Sequence, residues 1–245
     1  MRPYVMTIAG HDPSGGAGLT ADCKTFEQHK TVGLSVCTAN TIQTERSFVS
    51  VNWLQRDLIL QQVEILYKEY SPKVVKFGLI ESFSLLLAIA KWLKKQSPEV
   101  IIIWDPVLKS TTGFDFHKNT EGLTGLLSLI TLLTPNTNEA EQLFGSTNSK
   151  IIEARCNKFT SLSILLKGGH AFDKGTDMLI SRGKTEAIPG EAFEGYEKHG
   201  TGCILSAAIA SNMAKGIDLR EACIAGKKYT EKVMRSNPGL LAWHS

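Results

Sequence analysis

Residues 4–29 read YVMTIAGHDPSGGAGLTADCKTFEQH, a stretch from which the architecture can be inferred. Tyr4–Ala9 is an apolar run with the length of a buried strand, and Ala17–His29 has the pattern of a helix. The glycine-rich loop between them allows the backbone to approach a ligand, and the helix start offers free N–H groups to an anion. The loop fits neither GxGxxG nor GxxxxGK[ST], so a structural turn and a binding loop both remain open.

The same strand–loop–helix unit recurs along the chain. The apolar runs predict strands at Leu34–Ala39, Val74–Ile80, Val100–Trp104, Leu129–Leu133 and Ile164–Leu166, and a hairpin of Met178–Ser181 with Thr185–Ile188. Helical spacing predicts helices at Leu54–Tyr70, Phe83–Lys95, Asn136–Phe144, Gly200–Lys215 and Leu219–Met234. Apolar strands that alternate with helices indicate an α/β fold of three layers, a mostly parallel central sheet with helices on both faces. We expect one domain spanning residues 1–245.

Composition excludes several classes of protein. Hydrophobic residues at 42% and charged residues at 21% argue against disorder, and the net charge of +3 is spread without the basic stripe of a nucleic-acid binder. The first ten residues lack a secretory signal pattern, and the longest apolar runs, Leu85–Ala90 and Val100–Trp104, fall short of the roughly 18 residues of a membrane span. Five cysteines without a CxxC pair indicate reduced thiols, so we expect a cytoplasmic protein.

Ligands of such sheets bind at the carboxyl ends of the strands, and three further segments are predicted to meet there. The sequence HGTGC, His199–Cys203, leads into a helix of small residues and would present N–H groups to an anion. Asp105 follows an apolar strand, and an ordinary turn aspartate is the alternative interpretation. Asn136 can cap the next helix with Glu139 completing a capping box, which is a purely structural interpretation.

Taken in order, these motifs resemble the hydroxymethylpyrimidine/phosphomethylpyrimidine kinases of thiamin biosynthesis, within the ribokinase-like superfamily. The matching segments are Thr7–Gly10, Asp12–Gly18, Ala21–Phe26, Asp105–Val107, Thr134–Asn136 with Glu139, Lys167–His170 and His199–Cys203. The resemblance implies a ribokinase-like fold and ATP-dependent phosphorylation of 4-amino-5-hydroxymethyl-2-methylpyrimidine and its monophosphate. It also implies Mg²⁺ as a cofactor, small-molecule partners only, and a homodimer.

The resemblance further implies roles for single residues. The ring would be read by two polar side chains and lined by backbone and apolar groups, namely Asp22, Gln43, Gly10, Ala17, Leu79 and Val107. Mg²⁺ would be placed by Asp105 and Glu139, partly through water. The nucleotide would be bound by Asn136, Lys167 and Thr201. Without the resemblance, Asp22 is equally a first-turn carboxylate and Gln43 a surface amide.

The HGTGC segment would hold the transferring phosphoryl group. Gly200, Gly202 and Cys203 correspond to an anion hole whose N–H groups, together with Lys167, neutralise charge in a loose transition state. Cys203 stands where much of the superfamily has an aspartate, and a helix N-terminus lowers a thiol pKa below about 8.5. We therefore expect Cys203 to act as a base or to orient the hydroxyl; a small buried core residue is the alternative. His199 is expected only to organise the backbone.

Two segments, Lys109–Phe116 and Ala171–Lys198, depart from the family pattern. Both are expected to border the nucleotide or act as a lid, which leaves the adenine contacts and the second phosphorylation open. The nearest rival is a pyridoxal or pyridoxine kinase, and a non-catalytic pyrimidine-binding sensor is another. A NAD-linked oxidoreductase is disfavoured because GxGxxG does not follow the first strand.

Overall fold

The computed structural model describes residues 1–109, 116, 122–168, 175–191 and 196–244. Its strands are β1 (Tyr4–His11), β2 (Val32–Gln43), β3 (Phe48–Trp53), β4 (Val74–Phe77), β5 (Ile101–Trp104), β6 (Leu132–Leu133), β7 (Ser163–Leu166), β8 (Asp177–Ser181) and β9 (Lys184–Ile188). Its helices are α1 (Gly18–Gln28), α2 (Arg56–Tyr70), α3 (Phe83–Gln96), α4 (Leu123–Leu127), α5 (Thr137–Phe144), α6 (Ser149–Cys156), α7 (Thr201–Ala214) and α8 (Leu219–Met234). None of the described helices is long and apolar enough to cross a membrane.

All the described strands belong to one sheet, in the order β3-β2-β1-β4-β5-β6-β7-β8-β9. Six neighbouring strands of the sheet run parallel, in the order β2, β1, β4, β5, β6 and β7. Strands β3, β8 and β9 pair antiparallel at the two edges. The predicted mostly parallel sheet is therefore confirmed, as is the hairpin of β8 and β9. From β1 the chain moves to β2 on one side and later to β4 on the other, which makes β1 the point where strand order reverses.

Helices cover both faces of the sheet, because the side chains of each central strand alternate between two cores. In β5, Ile102 and Trp104 belong to the core beneath α2 to α6, and Ile103 belongs to the core beneath α1, α7 and α8. Helix α7 is sandwiched between the sheet and α8, and it is buried along ten consecutive residues from Cys203 to Asn212. Most of these residues are small or apolar, as the prediction for this helix anticipates.

Three elements of the structure are absent from the sequence prediction. Strand β3 is a short edge strand whose side chains are largely half-exposed, so it has no apolar run to reveal it. Helices α4 and α6 are only five and eight residues long. The predicted strand Leu129–Leu133 is reduced to Leu132–Leu133, because α4 and the turn after it occupy the preceding residues. Of the three, β3 borders the site, because Phe48 in it lines the cavity described below.

Candidate active site

A cavity of about 620 Å³ opens at the carboxyl edge of the sheet, within the usual size range of small-molecule sites. Loops after β1, β4, β5, β6 and β7 and the start of α7 contribute to its wall. Almost every predicted site residue lines it: Gly10, Ala17, Gln43, Leu79, Asp105, Val107, Asn136, Glu139, Lys167, Gly200, Thr201, Gly202 and Cys203. The predicted site residues therefore lie around a single cavity, with one exception.

The exception is Asp22, which does not reach the cavity wall. Its side chain is fully buried, and both carboxylate oxygens accept hydrogen bonds from Lys76 Nζ at 2.7 Å. Thr7 Oγ1 donates a third hydrogen bond to Asp22 at 2.6 Å. Because this face of α1 turns towards β1 and β4, the predicted direct contact with the ring is corrected to a place beneath the cavity floor.

Lys76 is also fully buried and lies at the centre of this layer. Burial by itself lowers the pKa of Lys76, but the attraction of Asp22, together with that of its other neighbours Cys203 and Asp105, raises the pKa above its ordinary value. Lys76 therefore remains an ammonium group, and it adds positive charge beneath Cys203 and Asp105. The sequence analysis misses Lys76, since a lysine inside an apolar strand, VVKF, carries no motif. A charged residue in a strand predicted to be buried is the signal that could have revealed it.

Lys167 stands between the two predicted metal carboxylates. Its Nζ lies 3.1 Å from Asp105 Oδ1 and 3.8 Å from Glu139 Oε2. Thr134 Oγ1 and Ser206 Oγ also donate hydrogen bonds to Asp105, at 3.1 and 3.3 Å. Burial by itself raises the pKa of Asp105, but Lys167 and Lys76 outweigh it and hold that pKa below its ordinary value.

Glu139 combines a structural role with a place in the cavity. It accepts a hydrogen bond from the Asn136 backbone N–H at 2.7 Å, while Asn136 Oδ1 accepts one from the Glu139 N–H at 2.9 Å. The predicted capping box is therefore confirmed, and it fixes Glu139 towards Lys167. Burial raises the pKa of Glu139 to about 7, which indicates that this carboxylate lacks a full positive partner.

The carboxylates fit a magnesium ion that is held mainly by phosphates and water. Among the described residues no group of three or more His, Cys, Asp or Glu side chains could hold a metal ion by itself. Mg²⁺ commonly takes one or two protein carboxylates and completes its shell with waters and substrate phosphates. Asp105 and Glu139 supply that number of carboxylates, and the shortage of positive charge at Glu139 suits a cation there.

The HGTGC segment forms the anion-binding end of the cavity. Gly200 precedes α7 with a φ of +78°, and a side chain there would collide with the Gly16 carbonyl and with Ala17. A Cβ placed on Gly202 would lie only 3.2 Å from Lys167 Nζ and 3.5 Å from Asp105 Oδ2. The N-terminus of α7, with its free N–H groups, therefore adjoins the lysine and carboxylates, as an anion hole requires.

Cys203 lies in the first turn of α7 and lines the cavity, but its ionisation differs from the prediction. Burial raises the pKa of Cys203 to about 12, and the attraction of Lys76 does not offset it. The expected lowering of this pKa is therefore corrected to a raised one, because burial disfavours the thiolate more than Lys76 favours it. A neutral thiol can orient a hydroxyl group, whereas it is a poor base.

A contact that the sequence analysis does not assign joins the first loop to HGTGC. His199 Nε2 lies 2.9 Å from Asp12 Oδ2, and both side chains are buried. Asp12 also accepts hydrogen bonds from Ser14 and from the Ala17 N–H, all at 2.9 Å. Burial by itself raises the pKa of Asp12, but the hydrogen bonds from His199 and Ser14 hold it below its ordinary value. The expectation that His199 organises the backbone agrees with this geometry.

The two departing segments are described in part. Lys109 and Phe116 line the cavity, whereas Ser110–Asp115 between them lie outside the described residues. Gly169 and His170 of the Lys-Gly-Gly-His motif are outside as well, together with residues 171–174 and 192–195 of the second segment. Lys198, at the end of that segment, lines the cavity beside His199.

Comparison with known proteins is consistent with this site. The sequence pattern of the family described as phosphomethylpyrimidine kinase matches residues 12–245. The hydroxymethylpyrimidine/phosphomethylpyrimidine kinase of Rhizobium meliloti (strain 1021) is 32% identical over 240 residues, covering 94% of this chain and 89% of the relative. The enzyme of the same name from Staphylococcus aureus (strain MRSA252) is 30% identical over 250 residues, covering 97% of this chain and 90% of the relative.

Solved structures agree on the fold. The ADP complex of pyridoxal kinase from Staphylococcus aureus superposes with a TM-score of 0.84 at 26% identity, covering 96% of this chain and 89% of that one. The phosphomethylpyrimidine kinase of Clostridium difficile 630 superposes with a TM-score of 0.78 at 30% identity, covering 94% of this chain and 99% of that one.

The sheet, the anion-binding helix start and these relatives define a phosphotransferase with the ribokinase-like α/β fold. The chain belongs to the phosphomethylpyrimidine kinase family, whose curated relatives carry the name hydroxymethylpyrimidine/phosphomethylpyrimidine kinase.

The buried pair beneath the cavity yields a prediction about stability. Asp22→Asn leaves the Lys76 ammonium buried without a counter-charge, so the free energy of unfolding should fall by about 3–5 kcal/mol. The double variant Asp22→Asn/Lys76→Met removes both charges and should recover much of that loss. Urea denaturation of the wild type, both single variants and the double variant measures the coupling.

The exposed pair Glu64–Lys68, 3.4 Å apart on α2, provides the control. The matched variants Glu64→Gln and Lys68→Met should each change the free energy of unfolding by about 0.5 kcal/mol or less. Equal losses at the buried and exposed pairs would contradict the assignment of Lys76 as a charged group that depends on Asp22.

Proposed function

We propose that this protein transfers the γ-phosphoryl group of ATP to the hydroxymethyl group of 4-amino-5-hydroxymethyl-2-methylpyrimidine, and then phosphorylates the monophosphate. One observation carries the proposal: a single cavity is lined by the apolar side chains of Leu79 and Val107 and also by Lys167 and the start of α7. The names of the relatives supply the chemical identity of the alcohol. This is a step of thiamin biosynthesis.

At the phosphate end, Lys167 and the N–H groups of Gly202 and Cys203 hold the transferring group. Asn136 and Thr201 line the same end and bind the nucleotide. Mg²⁺, held by Asp105 and Glu139, would neutralise charge on the phosphates when it is bound. Because the transition state is loose, positioning and charge stabilisation supply most of the rate enhancement.

At the other end of the cavity the ring is bound by Gln43 together with Gly10, Ala17, Leu79 and Val107. The Gln43 amide offers both a donor and an acceptor, which suits the mixed edge of an aminopyrimidine. Asp22 acts only indirectly in this proposal, since it holds Lys76 in place beneath the floor.

Cys203 orients the attacking hydroxyl in this proposal. The oxygen of the alcohol bonds to phosphorus while the bond from phosphorus to the ADP oxygen breaks. The hydroxyl proton departs late, after much of the leaving group has gone, and passes to an oxygen of the transferred phosphoryl group. The neutral thiol therefore suffices as a hydrogen-bond partner. The raised pKa of Cys203 favours this orienting role over the role of a base.

Pyridoxal phosphorylation is a second candidate. The TM-score of 0.84 against a pyridoxal kinase favours it, because that alcohol also carries a hydroxymethyl group on a six-membered ring. The sequence relatives named for the pyrimidine favour the first candidate.

Three further proposals concern the whole protein. The chain forms one domain over residues 1–245, which the single sheet supports. It works in the cytoplasm, which the five free cysteines support. It forms a homodimer through the β2–β3 edge, where the apolar side chains of Ile42 and Val49 are 55% and 67% exposed.

The homodimer is tested by sedimentation equilibrium. Val49→Glu places a charge in the apolar edge and should shift the protein towards the monomer. Ile65→Glu, at a side chain of similar exposure (68%) on α2, should leave the assembly unchanged. A monomeric wild type, or equal dissociation of both variants, would exclude this interface.

The function is tested with purified protein, hydroxymethylpyrimidine and Mg-ATP, followed by mass measurement of the products. We expect the monophosphate first and the diphosphate later, with one ADP released for each phosphoryl group transferred. A parallel reaction with pyridoxal in place of the pyrimidine tests the second candidate function. Binding of the pyrimidine without release of ADP would contradict the kinase function and favour a non-catalytic sensor.

The role of Cys203 is tested by Cys203→Ser, which keeps a small group able to form hydrogen bonds. The fold and the Kd for the pyrimidine should be retained, while kcat falls because the geometry and polarity of the hydroxyl contact change. Calorimetric binding and steady-state kinetics separate the two effects. Undiminished turnover in Cys203→Ser would remove Cys203 from the mechanism.

A further inference from the structure

The ammonium group of Lys198 is held by one turn at the end of the chain. After α8 the chain folds back towards HGTGC through residues 236–241, which we call the C-terminal turn. Lys198 Nζ donates hydrogen bonds to the backbone carbonyl oxygens of Asn237 and Gly239. A third donation, at 3.3 Å, reaches the side-chain oxygen of Asn237. Lys198 is 8% exposed, although lysine seldom lies so deep.

Other hydrogen bonds also shape the C-terminal turn. Asn237 Oδ1 accepts a hydrogen bond from the Gly239 N–H at 2.8 Å, and Asn237 Nδ2 donates to the Leu241 carbonyl at 3.0 Å. The His199 N–H donates to the Leu240 carbonyl at 2.9 Å. The three oxygens around Lys198 are therefore partly pre-arranged by contacts in which the ammonium takes no part.

We call the three oxygen atoms around Lys198 Nζ the oxygen cage, and its chemistry is unusual for a lysine. All three oxygens are neutral, and no carboxylate pairs with Lys198 among the residues that the structure describes. The ring of Tyr196 adds a further weak attraction, with its centre 5.5 Å from Nζ. Neutral carbonyl oxygens that replace a hydration shell are the ligands with which proteins bind bare monovalent cations.

Position connects this cage to the site. Lys198 directly precedes His199, whose side chain is held by Asp12. Gly200, the residue before α7, follows next. The approach to the anion hole is thus held by the first loop and by the C-terminal turn.

We propose that Lys198 is a positioning residue that serves as a tethered monovalent cation. Its ammonium group fills the oxygen cage, holds the C-terminal turn against the approach to HGTGC, and so keeps the N–H groups of α7 aligned for phosphoryl transfer. The inference deepens the proposed kinase function and rests on it. It follows that the wild type needs no added potassium or ammonium ion, whereas a variant with an emptied cage does.

Two substitutions separate charge from volume. Lys198→Ala empties the cage and leaves room for an ion, whereas Lys198→Met fills the space with an uncharged chain of similar length. Lys91→Ala, at an exposed lysine on α3, is the control for removal of a lysine. Phosphorylation of hydroxymethylpyrimidine is measured in choline, potassium and ammonium chloride at equal ionic strength.

In choline chloride we expect kcat of Lys198→Ala to fall by about tenfold or more, with little change in KM for the pyrimidine, because the anion hole is misaligned. Potassium or ammonium should restore most of that loss, and Lys198→Met should stay low in every salt. The wild type and Lys91→Ala should respond alike and weakly to the change of salt. Undiminished turnover of Lys198→Ala in choline, equal turnover in all three salts, or a wild type that requires potassium would overturn the proposal.

The melting temperature gives a readout that does not depend on turnover. Potassium and ammonium should raise Tm of Lys198→Ala above its value in choline and leave Tm of Lys198→Met unchanged. If the wild type has no kinase activity, the proposed function fails while this comparison still tests the cage. Failure of Lys198→Ala to fold in any of the salts would also contradict replacement of the ammonium by a free ion.

Discussion

The site depends on the contact between Asp12 and His199, which joins two loops that lie 187 positions apart in the chain. Both loops line the cavity, and in the proposed function the first loop contacts the ring while the HGTGC segment supplies the helix start that receives phosphate. Backbone hydrogen bonds hold each loop, from the Gly15 N–H to the Asp12 carbonyl and from the His199 N–H to the Leu240 carbonyl, and the side-chain contact fixes one loop against the other. Because both side chains are buried, the contact is shielded from water and salt.

Beneath that contact, charge is arranged in two layers. Asp22 and Lys76 form a fully buried pair, and Asp105, Glu139 and Lys167 form a second group at the cavity surface. The lower pair adds little net charge, yet its ammonium group lies close enough to stabilise Asp105 in its ionised form. The upper group has one more carboxylate than lysine, and that imbalance is the feature that suits a cation bound with nucleotide phosphates.

Much of this arrangement can be predicted from the sequence. Apolar strands followed by glycine, aspartate or asparagine loops locate the carboxyl edge of the sheet, and nearly every residue chosen from those loops lines the cavity. The direction of the Asp22 side chain could not be predicted. A residue in the first turns of α1 can face the cavity or lie beneath its floor, and only the contact with Lys76 determines which. The pKa of Cys203 was also out of reach, since desolvation depends on depth while the sequence reveals only the helix N-terminus. Strand β3 escaped because Ser50 and Asn52 interrupt its apolar residues, so it has no continuous apolar run.

The central claim is that nucleotide phosphate and ring alcohol meet over the first turn of α7. A crystal structure of the protein with a non-hydrolysable ATP analogue, Mg²⁺ and hydroxymethylpyrimidine tests it most directly. The account predicts the terminal phosphate within hydrogen-bonding distance of the Gly202 and Cys203 N–H groups and of Lys167, with the hydroxyl oxygen in line behind it. A terminal phosphate bound away from α7, or a ring outside the pocket of Leu79 and Val107, would contradict the account.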